Sequence, residues 1–149
     1  MSHENLYQDQ TNISFHDPGL IHALGGLNLD NVLHYFYFSS FYDPSSINEL
    51  LRVQQMDMSH LHTMPGTSFE VRANLSQPPD LFVIQKVFRD NSLKPVTVCY
   101  FYIRNGVVYQ VPFALQVFQS RIHNISFSLR SLLSKISSET VFPGKLVIT

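Results

Sequence analysis

The segment from Val96 to Val111 constrains the fold of this chain more than any other. Two runs of β-branched and aromatic residues, 96–103 and 107–111, flank Asn105-Gly106. That residue pair readily takes the positive backbone angles of a two-residue hairpin loop. Counting outward from the loop sets Ile103 opposite Val108 and Tyr102 opposite Tyr109. Tyr100, Tyr102, Tyr109 and Val111 then share one face of the sheet, and Phe101, Ile103 and Val108 share the other. Both faces are apolar, so both need cover from other parts of the chain or from a partner.

Two further strands and several short helices are expected ahead of the hairpin. Residues 1–17 are polar and lack periodicity, which predicts an extended or disordered arm. Leu20 to Leu24 forms a helical turn stopped by Gly25-Gly26, and Asp30 or Asn31 caps a short helix carrying Val32, Leu33, Phe36 and Tyr37. Pro44 marks a turn, and Ser46 with Glu49 has capping-box spacing ahead of a face made by Ile47, Leu50, Leu51 and Gln54. Residues 57–64 read as one more short helix. Phe69, Val71, Ala73 and Leu75 alternate with polar residues, the period of a half-buried strand. The loop 76–80, with Pro78-Pro79, leads into a strand at 81–88.

After Pro112 the apolar residues Leu115, Phe118, Ile122, Ile125, Leu129, Leu132 and Ile136 recur at steps of three and four. This predicts one long helix over residues 113–136, about 35 Å in length, with a narrow apolar seam. Two uses of the seam stand side by side. It packs on the chain's own sheet, or its far half, with Leu129, Leu132, Leu133 and Ile136, joins helices of other proteins. The expected architecture is therefore α+β: an antiparallel sheet of about four strands, short N-terminal helices and one long C-terminal helix. Residues 18–137 form the domain, between the arm 1–17 and an extension 138–149.

Composition narrows the function classes. The chain has 149 residues, enough for one core without staples, and 14% of them are charged, against about 25% in an average soluble domain. Charged groups are also depleted at the cores of protein interfaces, so this balance suits a subunit held against other proteins. A formal net charge of -1 supplies no basic field for a phosphate backbone, which disfavours direct nucleic-acid binding. No apolar run reaches the length of a bilayer crossing, so no membrane role is expected. The single Cys99 suits a reducing compartment, where the Asn12 and Asn124 triplets are ordinary polar positions.

Reactive constellations are sparse. His60-x-His62 with Asp57 falls short of a metal ligand set, His16-Asp17 lacks a nucleophile nearby in sequence, and glycine-rich phosphate or dinucleotide motifs are missing. No metal, cofactor or catalytic residue is expected. Asp43, between Phe41, Tyr42 and Pro44, reads as a turn acceptor, and as an acid or base if buried. The aromatics of residues 35–42 have no interleaved Lys or Arg, so they are assigned to packing and protein contact.

Two ordered motifs carry a family resemblance. The first comprises Leu33, Tyr35, Phe36, Ser39, Phe41, Tyr42, Asp43, Asn48 and Glu49; the second runs from Phe101 to Pro112, with Gly106, Tyr109, Gln110 and Pro112. Together they resemble the signature of the Mediator subunit 6 family, over residues 13–136. Ser40 stands where that family usually has proline, which implies a less rigid turn. The resemblance implies a non-catalytic structural subunit of the Mediator head module, located in the nucleus and linking activator signals to RNA polymerase II. Mediator subunits 8 and 17 are its expected contacts. The competing reading is a small-molecule-binding or hydrolytic α+β domain with a pocket near Phe41–Asp43.

Overall fold

A computed structural model describes residues 6–112 and 132–135. The elements run β1 (Ser14–Phe15), α1 (Pro18–Ala23), α2 (Val32–Tyr37), α3 (Ile47–Val53), β2 (Gly66–Val71), β3 (Leu81–Arg89), β4 (Pro95–Arg104) and β5 (Val107–Gln110), with 3-10 turns at Met58–Thr63 and Ala73–Leu75. The strands form one antiparallel sheet in the order β1-β5-β4-β3-β2.

The hairpin adopts the register set by its loop. Ile103 pairs with Val108 and Tyr102 with Tyr109, and the two Tyr rings stack at 5.1 Å. Asn105 and Gly106 take φ of +50° and +81°. The positive φ favours glycine at 106, whereas a Cβ there would meet only the movable tip of Ile21, Cδ1, at 2.5 Å.

Among the described residues the sheet has five strands, not four. Ser14 and Phe15, expected in a loose arm, pair with Tyr109 and Val108 and close the β5 edge. A two-residue strand has no alternation to betray it. The strand expected through Leu75 ends at Val71, and Ala73–Leu75 turns as a 3-10 helix. Ser76 explains the change: its hydroxyl donates to Arg72 O at 2.8 Å and accepts from Val83 N at 3.0 Å, replacing ladder bonds. A bulge between Lys86 and Val87 also shifts the β3–β4 register.

Local caps depart from expectation in two places. Ser46 Oγ accepts from Glu49 N at 3.3 Å, but the Glu49 carboxylate turns to Arg52 and Tyr42, and Ser46 N donates to Asp43 O. The capping box is therefore half-formed. Asn31 occupies the α2 cap position without a side-chain cap bond; it accepts from Asn28 N and donates to Gly26 O instead.

One sheet face is covered by the short helices. Val32, Tyr35, Phe36 and Phe41 meet Phe69, Phe82, Ile84, Cys99, Phe101, Ile103 and Val108 in the main core. Full burial of a large apolar side chain stabilises by about 1.5–3 kcal/mol, so the Phe36, Phe69 and Phe101 rings, packed at 5.0–6.2 Å, anchor this layer. On the opposite face Leu75, Leu81, Val83 and Val111 pack with Leu133, while Tyr100, Tyr102 and Leu132 lie at the margin. Residues 132–135 are helical. The rest of the helix expected over 113–136, with Leu129 and Ile136, lies outside the described residues, as do the C-terminal extension and residues 1–5.

The same face becomes polar toward the β2 end. Arg89 is buried, pairs with Glu70 at 2.7 Å, and donates to Ser68 Oγ at 2.9 Å. Arg72 donates to Gln85, which donates to Thr97. A buried guanidinium needs such partners to offset its lost hydration.

Candidate functional site

The motif residues converge on the joint between the helical layer and the sheet. Tyr35 is fully buried; its hydroxyl donates to Gly106 O at 2.7 Å and accepts from Asp17 N at 2.9 Å. Burial raises its pKa, which keeps it a phenol and hence a donor. Asp17 caps α1 by accepting from Leu20 N at 2.9 Å. One side chain thus joins α1, α2 and the hairpin loop.

Asn48 performs a related task at the opposite edge. Its amide donates to Phe69 O at 2.9 Å and accepts from Phe69 N at 2.7 Å, so it plugs the outward peptide groups midway along β2. An open strand edge invites pairing with another chain, and this contact occupies the edge at Phe69. Gln110, on β5, instead holds the amino-terminal arm, accepting from Gln10 N and donating to Gln8 O at 2.8 Å.

The remaining motif residues also serve the fold. Leu33 packs at the margin of the main core, and Phe41 lies 5.3 Å from Phe101. Tyr42 stacks on Phe69 at 5.4 Å and donates to Glu49 at 3.4 Å, with its pKa raised first by burial. Asp43 Oδ1 accepts from Ser45 N and Oγ at 2.8 and 2.6 Å, which makes it the turn acceptor. Tyr109 stacks in the hairpin and Pro112 is exposed. Leu132 and Leu133, expected to meet a partner, lie against the chain's own second face.

The groups weighed for chemistry are dispersed. His60 Nδ1 lies 3.1 Å from Asp57 O, whereas His62 Nδ1 lies 3.0 Å from Arg89 Nη2. Among the described residues no three His, Cys, Asp or Glu side chains cluster to hold a metal, and no helix is long and apolar enough to cross a membrane. Burial pushes the Cys99 thiol up to about 11, far from the range of a reactive thiolate.

An exposed apolar surface was missed in the sequence. Leu50, placed on one face with Ile47, Leu51 and Gln54, is exposed, and Val53 is 66% accessible, followed by exposed Met56 and Met58. Ile47 and Leu51 suffice to pack α3 on Leu61 and Met64, so the other apolar side chains of this region remain outside. Beside them Arg52 donates to Tyr37 OH at 3.1 Å and sits over its ring at 4.8 Å, while Phe38 at the end of α2 is half exposed. Exposed Met, aromatic and Arg side chains are typical of protein interfaces, and the excess of apolar over helix-packing positions was the available signal.

The fold and these placements define an α+β scaffold domain whose distinctive side chains fasten its own layers and which presents apolar surface outward. Residues 13–143 match the family model described as MED6 mediator sub complex component. The chain belongs to the Mediator subunit 6 family. It is 34% identical over 138 residues to Mediator of RNA polymerase II transcription subunit 6 of Schizosaccharomyces pombe, covering 86% of this chain and 62% of the relative. For the Drosophila melanogaster protein of the same description the figures are 31% over 140 residues, 93% and 54%. The chain therefore spans between half and two thirds of these relatives' length. The fold is similar to the solved structure of the Schizosaccharomyces pombe Mediator subunit Med6, with a TM-score of 0.68, 31% identity, and coverage of 87% of this chain and 99% of that one. It is also similar to a chain of the Schizosaccharomyces pombe Mediator head module, with a TM-score of 0.61, 32% identity, and coverage of 87% and 90%.

Proposed function

We propose that this chain is a non-catalytic structural subunit of the Mediator head module, acting in the nucleus to link activator signals to RNA polymerase II transcription through protein contacts. The observation that carries the reading is the employment of the motif residues: Tyr35, Phe36, Phe41 and Asn48 are buried in layer-to-layer contacts, so what the family motif encodes is a rigid shape. A relative of similar fold is part of a Mediator head module, which supports the same assignment here. Exposed Leu50, Val53, Met56 and Met58 supply the contact chemistry, since burying them against a partner gains the hydrophobic stabilisation that the isolated domain forgoes.

Mediator subunits 8 and 17 are the proposed direct neighbours, with RNA polymerase II reached through the complex and nucleic acid not contacted directly. Co-expression of this chain with subunits 8 and 17 tests the assignment. Co-elution on size exclusion at a fixed stoichiometry is expected; separate elution of all three would count against these contacts.

A further inference from the structure

The amino-terminal arm occupies a site with the attributes of a receptor. Gln110 is only 3% exposed, yet both ends of its amide face the arm: Oε1 accepts from Gln10 N at 2.5 Å and Nε2 donates to Gln8 O at 2.8 Å. On β3, Lys86 Nζ donates to Leu6 O at 3.4 Å. Between these fixed points Tyr7 packs against the main core. Gln8 and Asp9 are exposed, and Asp9 is engaged locally, accepting from Thr11 N and Oγ at 3.1 and 2.7 Å. The groove thus reads main-chain atoms at residues 6, 8 and 10 and one bulky apolar side chain at residue 7.

We propose that Lys86, Gln110 and the adjoining core form a receptor for a short peptide segment of a partner protein, filled in this molecule by residues 6–10 acting as an exchangeable occupant. The ligand class follows from the contacts: a short segment outside regular secondary structure, with an aromatic or large aliphatic residue one position before the carbonyl that Gln110 binds. Because the Lys86 and Gln110 side chains bind main-chain atoms, such a site has loose sequence demands at residues 6, 8 and 10. The arm's own residues at 8 and 9 confer no privilege, because both are exposed.

The tether argues for a partner segment and against a second copy of this chain. Residues 11–13 separate the arm from β1, where Ser14 and Phe15 are already paired with β5. Three residues span at most about 11 Å, too short to hand the arm to another copy while β1 stays in place. An arm that detaches locally, by contrast, leaves the groove open to a competing segment. The competitor's apparent affinity is set by the fraction of molecules whose groove is vacant. The proposal is independent of which complex the chain joins.

A fluorescent peptide with the sequence of residues 6–15, titrated onto the full chain, tests it by anisotropy. Gln10→Pro in the chain deletes the N–H that Gln110 accepts and so raises the vacant fraction. The peptide should bind that variant at least about fivefold more tightly than the unaltered chain. Adding Gln110→Leu to Gln10→Pro should abolish binding, and Tyr7→Ala in the peptide should weaken it, a readout that needs no altered receptor. Equal affinity for both chains, or binding indifferent to Tyr7→Ala, overturns the proposal. A concentration-dependent dimer of the unaltered chain in sedimentation that Gln110→Leu abolishes would overturn it in favour of arm exchange between copies.

Discussion

The Tyr35 hydroxyl donates to the Gly106 carbonyl at 2.7 Å, joining the aromatic helix to the hairpin loop across 71 positions of sequence. Because the same oxygen accepts from Asp17 N, deleting it orphans two backbone groups at once. Tyr35→Phe keeps the ring and its packing, so the loss isolates the hydrogen bonds. A destabilisation of about 1–3 kcal/mol is expected, lowering Tm by about 3–10 °C with an unchanged far-UV spectrum. A Tm equal to that of the unaltered chain would show that the joint is dispensable.

Asn48→Ala removes both bonds to Phe69 and uncovers the middle of the β2 edge. The expected cost is about 2–4 kcal/mol. Aggregation followed by light scattering should also accelerate, because an uncovered edge strand can pair with another chain. Tyr35→Phe leaves that edge closed, so it should not aggregate faster at matched stability.

Cys99 gives a pH dependence of definite sign. Burial pushes its thiol up to about 11 from an ordinary 9.0, so the folded state holds the proton after the unfolded state has released it. The stabilisation from this group is complete below pH 9 and is lost as pH rises through about 11. Its size is about 3 kcal/mol. Burial raises Tyr35, Tyr42 and Tyr102 in the same direction and extends the decline above pH 10. Denaturant midpoints measured from pH 8 to 11 should fall steadily. A Cys99→Ala chain should lose less over pH 9–10, and native Cys99 should resist thiol reagents at pH 8 until the chain unfolds.

Val53 and Leu133 separate assembly from folding. Val53 is 66% accessible, whereas Leu133 is 2% accessible against Leu75, Leu81, Val83 and Val111. Val53→Asp should leave Tm within about 1–2 °C and weaken capture of head subunits, while Leu133→Asp should destabilise the chain itself by about 3 kcal/mol or more. Equal capture by the Val53→Asp and unaltered chains would remove the α3 surface from the account.

The features legible in the sequence are those fixed by neighbours along the chain. The Tyr102–Tyr109 register follows from loop length and the αL tolerance of Asn105-Gly106, and the α3 cap from a hydroxyl three residues ahead of Glu49. What escaped depended on distant partners. Ser14 and Phe15 are a strand only because β5, some 94 positions later, offers an edge. Glu49 abandoned its capping role for Arg52 and Tyr42. Ala73 and Leu75 carry strand periodicity, but the Ser76 hydroxyl satisfies the backbone locally and ends the ladder. The motif was legible as a motif, whereas the use of Asn48 to cap the β2 edge and of Gln110 to hold the arm needed the folded chain. The exposure of Leu50 was not legible, because periodicity gives an apolar stripe its position on the helix without giving the width of surface available to cover it.

Purification of the endogenous protein from nuclear extract, with quantitative mass spectrometry of what accompanies it, tests the structural-subunit account most directly. The account predicts Mediator head subunits in near-stoichiometric amounts, with RNA polymerase II present at lower, salt-sensitive levels. A chain recovered as a free monomer without Mediator subunits would contradict it.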